Sequence, residues 1–297
     1  MTSCSPIQSA EGTPTKIVIS QSPISPAPTK PERTSTAMPT LETSDAFALL
    51  RNYLENNPPC QLPCWGGITP GKSTTADVQA QLTAFSGIAE HMHVGKSGEP
   101  WFTLNIRYPK DDIVIDISSA YLPLSENKIA IISIDTQALP TNLVGQIYGD
   151  RNYEEFLAAY TLPQILESYG LPDEVFFTAD IYEYEKDAPD FFEIRLLYLD
   201  KGIFARYTMP AELVGDVYKF CPANSFVDLD LIANGLDEDY QELLLRLGDT
   251  WRGFFPPSPF HKKPEEAIGM TIEEFHESLN SFPSLCLESP QAIWPGR

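Results

Sequence analysis

The chain has 297 residues, 42% hydrophobic and 11% aromatic, enough to bury a substantial core in one large domain or two small ones. Lys and Arg number 20 against 41 Asp and Glu, and the resulting net charge of −21 repels phosphate backbones and anionic lipid headgroups, which argues against a nucleic-acid partner. The most apolar run, Ile129–Ile134, falls far short of the roughly 18 to 20 residues that a membrane-spanning helix needs.

Met1-Thr2-Ser3-Cys4 resembles the end of a bacterial lipobox, in which a small residue precedes the cysteine that is lipidated. A leader upstream of Met1, with a basic region and an apolar run, is then expected, and Cys4 becomes the lipidation site. On this reading the protein is extracytoplasmic and touches the membrane only through its anchor. If Met1 is the true start, the alternative is a cytoplasmic protein with reduced cysteines.

Ser5–Ser44 holds seven prolines, seven serines and seven threonines, and the first aromatic residue is Phe47. Such a segment buries too little apolar surface to offset its ordering entropy, so residues 1–44 are expected to be a disordered tether with an end-to-end distance of about 35 Å. Phe47, Leu50, Tyr53 and Leu54 then repeat with helical spacing from a start near Ser44, and Pro58-Pro59 stops the helix. A second helix is expected from Ser73 or Thr74 with Val78, Leu82 and Phe85 on one face.

At Phe102 the period changes to two. Phe102, Leu104, Ile106 and Tyr108 alternate with Trp101, Thr103, Asn105 and Arg107, and Ile113, Ile115 and Ile117 continue beyond a turn, which predicts a hairpin followed by a strand at Ile129–Ile134. The order repeats downstream. Tyr153–Tyr160 and Leu162–Tyr169 read as helices, and Phe192–Tyr198 and Ile203–Tyr207 read as a second hairpin across Leu199-Asp-Lys-Gly202. Val217–Phe220 and Phe226–Ile232 complete that unit, and the remainder reads as helical: Asp237–Leu247, then a capping box at Thr271–Glu274 opening a helix through Leu279. The expected fold is therefore α+β. Two tandem helix-plus-antiparallel-sheet repeats, 45–150 and 151–235 with Tyr108 and Tyr198 equivalent, precede a C-terminal helical segment, 236–297.

Gly67-Ile-Thr-Pro-Gly-Lys-Ser-Thr74 with Val78 and Leu82, and Leu162–Leu166 with Tyr169-Gly-Leu-Pro172, resemble units of the BamE-like and β-lactamase-inhibitor-protein fold. Cys60-Gln-Leu-Pro-Cys64-Trp-Gly-Gly-Ile-Thr-Pro-Gly71 resembles a phrase of uncharacterised bacterial lipoproteins. The resemblance covers about half of the chain and implies a small secreted or lipid-anchored binding protein that recognises partners through the sheet face away from its helices.

Gly66-Gly-Ile-Thr-Pro-Gly71-Lys72-Ser73 matches the P-loop pattern, with Lys72 for the phosphates, Ser73 for Mg²⁺ and Asp135 in a Walker-B position. Against it, the preceding residues are proline-rich and cannot form the buried strand a P-loop follows, and Pro70 removes an amide from the cradle. No nucleotide, cofactor or metal is expected. Beyond Cys4, the even set Cys60, Cys64, Cys221 and Cys286 suits two disulfides, and of three connectivities Cys60–Cys64 with Cys221–Cys286 is favoured because the first pair closes a short loop. His91 and His93 share a face if their segment is extended, but no histidine belongs to a metalloenzyme phrase, so all read as surface residues. Asp180, Glu183, Glu185, Asp187, Asp190 and Glu193 lack the spacing of a calcium loop and read as a solvated edge.

The function expected is a surface-tethered, non-enzymatic module that binds a protein partner or acts as a scaffold, the alternative being a P-loop nucleotide-binding protein. Strand alternation puts Trp101, Arg107, Phe191 and Arg195 on the sheet face opposite the helices, and those four are the expected anchors for a partner. The competing expectation for Trp101 and Phe191 is that they pack into the core.

Overall fold

The computed structural model describes residues 40–57, 60–94, 102–123, 127–141, 147, 150–180, 190–234 and 261–294. Cys4, the tether, Trp101, the Asp237–Leu247 helix and most of the 180–193 acidic stretch lie outside them.

Helix α1 spans Thr43–Asn56 and buries Ala46, Leu50, Tyr53 and Leu54, residues that helical spacing brings onto one stripe. It ends at Asn57, whose φ of 45° lets its N–H reach back to the Tyr53 carbonyl. Helix α2, Thr75–Phe85, starts at a reciprocal box: the Thr74 hydroxyl accepts from the Asp77 N–H, and the Asp77 carboxylate accepts from the Thr74 N–H.

Strands follow: β1 Ala89–Val94, β2 Phe102–Lys110, β3 Ile113–Pro123 and β4 Ile129–Pro140. After the short helices α3 (Arg151–Phe156) and α4 (Leu162–Tyr169) come β5 Glu174–Asp180, β6 Asp190–Tyr198, β7 Ile203–Val214, β8 Val217–Phe220 and β9 Phe226–Ile232. The chain closes with α5 Pro264–Ala267, α6 Ile272–Ser281 and β10 Leu287–Pro290. The expected capping box at Thr271 and Glu274 opens α6.

All ten strands belong to one antiparallel sheet in the order β1-β2-β3-β4-β9-β7-β6-β5, with β8 bonded to β7 and to β10. The expectation of two tandem helix-plus-sheet repeats is therefore overturned. Most of the described chain is a single large sheet with few helices. The join is β4 against β9, with Ile131 opposite Ile232 and Asp135 opposite Asp228, so the strand expected to complete the second unit instead lies between β4 and β7. Nor is the end of the chain purely helical, since β10 pairs with β8 and Lys262 forms a bridge with Phe177 on β5. Tyr108 and Tyr198 are not equivalent: Tyr108 is half-buried between Phe47 and Phe156, whereas Tyr198 is fully buried with its hydroxyl on the Gly170 carbonyl.

Close approach at the join demands glycine. Gly202 sits at φ 64°, and a Cβ there would lie 2.1 Å from the Ile232 carbonyl oxygen, which also receives no room to move because the Ile232 N–H donates to Gly202.

One face of the sheet carries the main core. Phe102, Leu104 and Ile106 of β2, Ile113, Ile115 and Ile117 of β3, and Phe192, Ile194 and Leu196 of β6 pack in one cluster with Leu54, Val78, Leu82, Ile165 and Phe275 from the helices. Phe192 stacks on Phe220 at 4.3 Å between ring centroids and meets Trp294 edge-on. The inward rows read from the sequence are thus the buried ones. We call the opposite side the outer face.

Two disulfides staple the chain, Cys60–Cys64 and Cys221–Cys286, the connectivity favoured from the sequence. They suit an oxidising compartment outside the cytoplasm. Among the described residues no helix is long and apolar enough to cross a membrane.

Candidate functional site

Period-two alternation that buries one row of each strand presents the other row outward, and antiparallel register decides which outward residues meet. One rung of pairs, His91–Asn105–Ser118–Asp135–Asp228–Arg206–Arg195–Phe176, crosses the whole sheet from β1 to β5. Seven of its eight members are polar and bring ionisable groups of both signs side by side.

Its centre is an ion pair. Arg206 Nε donates to Asp228 Oδ2 at 2.8 Å, and a second Arg206 nitrogen lies 3.8 Å from Asp135. Burial works against the Arg206 charge, but the carboxylates of Asp228, Glu193 and Asp135 outweigh it and raise its pKa. Asp228 is almost completely enclosed, and burial pushes its carboxyl up to about 6 despite the pull of Arg206. Two residues on, Asp230 is 2% exposed; its Oδ1 accepts from the Ser133 hydroxyl at 2.6 Å while its Oδ2 has no hydrogen-bond partner. Burial raises the Asp230 carboxyl well above the ordinary range, more than Ser133 draws it back.

Around Asp230 the outer face turns apolar. Leu122, Ala130, Ile131, Phe176, Leu197, Phe204 and Ile232 form a second cluster on this side of the sheet. Beyond it, Arg195 holds Glu193 and lies 2.8 Å from His261 Nε2. Across β1 to β4 the face stays polar and half-exposed: Arg107 donates to Glu90 at 3.0 Å, Asp116 sits 3.9 Å from Arg107 and accepts from Gln137 at 3.1 Å, and the Ser118 hydroxyl donates to Asn105 at 2.8 Å.

The four expected anchors are therefore not gathered in one place. Arg107 lies on the open half of the outer face, in the position alternation gave it. Arg195 shares the face but is only 6% exposed, because Glu193 and His261 enclose its guanidinium, so it offers a partner almost no surface. Phe191 is half-buried near the outer end of β6, opposite Asp180 on β5 and Pro210 on β7. Trp101 lies outside the described residues. Sequence reasoning missed Arg206, Asp228 and Asp230; the signal was present in Phe226-Val-Asp-Leu-Asp-Leu-Ile232, where two aspartates at spacing two sit inside an apolar strand.

The Gly66–Ser73 loop has no free cradle. Six of its amides are engaged by the protein itself: Gly66 N–H donates to the Asn57 side chain, Ile68 to Trp65, Thr69 to the Ser73 hydroxyl, Gly71 to Ile129, and Lys72 and Ser73 to Thr69. The following helix N-terminus is occupied by the Asp77 carboxylate, where a P-loop would hold phosphate. Asp135 is six strand residues beyond Ile129, the residue beside this loop, and that is about 20 Å at the rise of a β-strand. A groove of about 400 Å³ does run past Thr69–Lys72, lined also by Gln61, Cys64, Ile232 and Asn234. Among the described residues no three His, Cys, Asp or Glu side chains are placed to hold a metal ion as they stand.

The fold and the charged rung define a disulfide-bonded protein built on one large antiparallel sheet, with helices on its inner face. No protein-family model, curated protein or solved structure matches the chain.

Proposed function

We propose that the protein is an extracytoplasmic, non-enzymatic recognition module, anchored by a lipid on Cys4, that binds a protein partner with the open half of its outer sheet face. One observation carries the recognition part: Thr103, Asn105, Arg107, Asp116, Ser118 and Gln137 form a half-exposed polar surface in which Arg107 is already oriented by Glu90 and Asp116. A guanidinium held in place before contact loses less freedom on binding, and arginine is over-represented among interface hot spots. Arg195 acts in this account as a positioning residue that orders Glu193 and His261, and Phe191 flanks the far end of the face.

The anchoring part rests on the Met1–Cys4 phrase, the proline-rich segment after it, and two disulfides that favour an exported protein. The experiment is site-specific photo-crosslinking in the native host, with a photoreactive residue at Ser118 on the outer face or at Glu167 on the exposed side of α4. An adduct from position 118 and none from 167 is expected; adducts from 167 alone would sink the recognition reading. Detergent-phase partitioning of wild type and Cys4→Ala tests the anchor separately, since only the wild type is expected in the detergent phase.

A further inference from the structure

The strand order of the sheet ends at β1, β5 and β10, and the chain protects two of these edges. Phe177 on β5 exchanges backbone hydrogen bonds of 2.8 and 2.9 Å with Lys262, and β10 is only four residues long and ends in Pro290. Covering an edge, shortening it and ending it in proline all keep it from pairing with other chains. Strand β1 uses none of these. It runs six residues, its one strand neighbour among the described residues is β2, and its sequence Ala-Glu-His-Met-His-Val holds neither lysine nor proline.

A bulge marks only its start. Ala89 pairs with Ile106 and His91 with Asn105, so Glu90 is the extra residue, and its carboxylate meets the outward-facing Arg107 at 3.0 Å. From His91 to Val94 the register is regular, each residue opposite the next one along β2 from Asn105 to Phe102. Glu90, His91, Met92 and His93 are all exposed, although alternation sends side chains to both faces. Met92 lies opposite Leu104, a core residue of the inner face that is 5% exposed, yet Met92 itself is 46% exposed. An apolar side chain of the inner row thus stands uncovered where one further strand would cover it.

We propose that β1 is the docking edge for the protein partner of the outer face, which adds an extended segment of its own beside β1 as a further strand. The proposal rests on the recognition reading and names its mode: main-chain hydrogen bonds to β1 supply affinity, and alternate side chains of the segment supply specificity. An added strand lies about 4.8 Å beyond β1. The Glu90–Arg107 contact joins that edge to the polar surface of β2 and β3, so one partner spans both. The inner row of the segment carries an apolar side chain against Met92. The segment is basic, because the net charge of −21 draws a cationic chain and repels a second copy of this one.

In the native host, a photoreactive residue at Met92 is expected to capture the same partner as one at Ser118. An adduct from position 118 without one from position 92 would overturn strand addition and leave the recognition reading standing, and no adduct from either would sink both. A cross-link from position 92 to a second copy of the chain would show that the edge pairs with itself, which also overturns the proposal. Main-chain pairing is then read from the affinity of the captured partner. Successive residues of an antiparallel strand alternate between bonding the neighbour and pointing away, so of Met92→Pro and His93→Pro one breaks the ladder to β2 and the other removes only an outward N–H. The variant that keeps the wild-type melting temperature identifies the outward position. It should weaken partner binding by about tenfold or more, and alanine at the same position by less than about threefold. Equal affinity of that proline variant and wild type would overturn the proposal. Should both prolines unfold the chain, hydrogen exchange of the wild type decides: alternate β1 amides are expected to gain protection when the partner is added, and unchanged exchange contradicts strand addition.

Discussion

Arg206 on β7 and Asp228 on β9 face each other across the middle of the sheet, joined by a 2.8 Å hydrogen bond in a largely enclosed ion pair. Breaking such a pair from one side strands the other charge. Arg206→Ala is expected to destabilise the fold by about 3 to 5 kcal/mol, while replacing both residues together, Arg206→Met with Asp228→Leu, should cost much less. Urea denaturation of the two variants checks this; equal costs would mean that the pair is not electrostatically coupled.

The same region sets a pH dependence. Asp228 and Asp230 both have carboxyl groups whose folded values lie above the unfolded one, Asp228 at about 6. The folded state therefore binds protons more tightly, and this contribution is complete below about pH 4 and fades as pH rises through 6 and beyond. Asp230→Asn removes the Asp230 part without removing the Ser133 contact. The variant is expected to gain stability relative to wild type at pH 8 and to gain nothing at pH 4, read as the difference in melting temperature at the two values.

The two disulfides should contribute unequally. Cys221–Cys286 closes a loop across 65 residues, and Cys60–Cys64 closes one across four. Chain-entropy arguments give about 4 kcal/mol for the long loop and about 2 kcal/mol for the short one. The short loop is held besides by the Asn57 side chain, which bonds both the Cys64 carbonyl and the Gly66 N–H, and by the Tyr169 hydroxyl on the Leu62 N–H. Cys221→Ser with Cys286→Ser should accordingly lower the melting temperature more than Cys60→Ser with Cys64→Ser. The reverse order would show that the Asn57 and Tyr169 contacts do not secure the loop.

ATP or GTP with Mg²⁺ is expected to leave the melting temperature unchanged, because most of the Gly66–Ser73 amides are already engaged. A bound nucleotide at a hundredfold excess over Kd would raise stability by about 2.7 kcal/mol, so a shift of that size that disappears in Lys72→Ala would contradict the account.

Local signals were legible in the sequence wherever one segment supplied both partners. The α1 stripe at Leu50, Tyr53 and Leu54, the start of α2 near Thr74, the capping box at Thr271, and the β2–β3 hairpin are all written within a dozen or so residues. What failed was long-range pairing. Nothing near Phe226–Ile232 indicates that it pairs with Ile131–Asp135, some 97 residues earlier at the Ser133–Asp230 contact, and without that join the two halves read as separate repeats. Strand β1 is hard to read from the sequence because its outward histidines and glutamate give it little apolar periodicity, and β5 because Phe176 and Phe177 are both buried, which hides the alternation. Arg195 was placed on the correct face by alternation, but its enclosure depends on His261, 66 residues away.

The central claim is that the open half of the outer face recognises a partner. Its most direct test is the affinity of the partner captured by cross-linking for immobilised Arg107→Glu protein, compared with wild type and with a Glu167→Arg control on α4. Loss of a hot-spot arginine is expected to weaken binding by about 2 kcal/mol or more, roughly thirtyfold, with the control unchanged. Binding that is indifferent to Arg107→Glu but lost in Glu167→Arg would place recognition on the helical side and contradict the account.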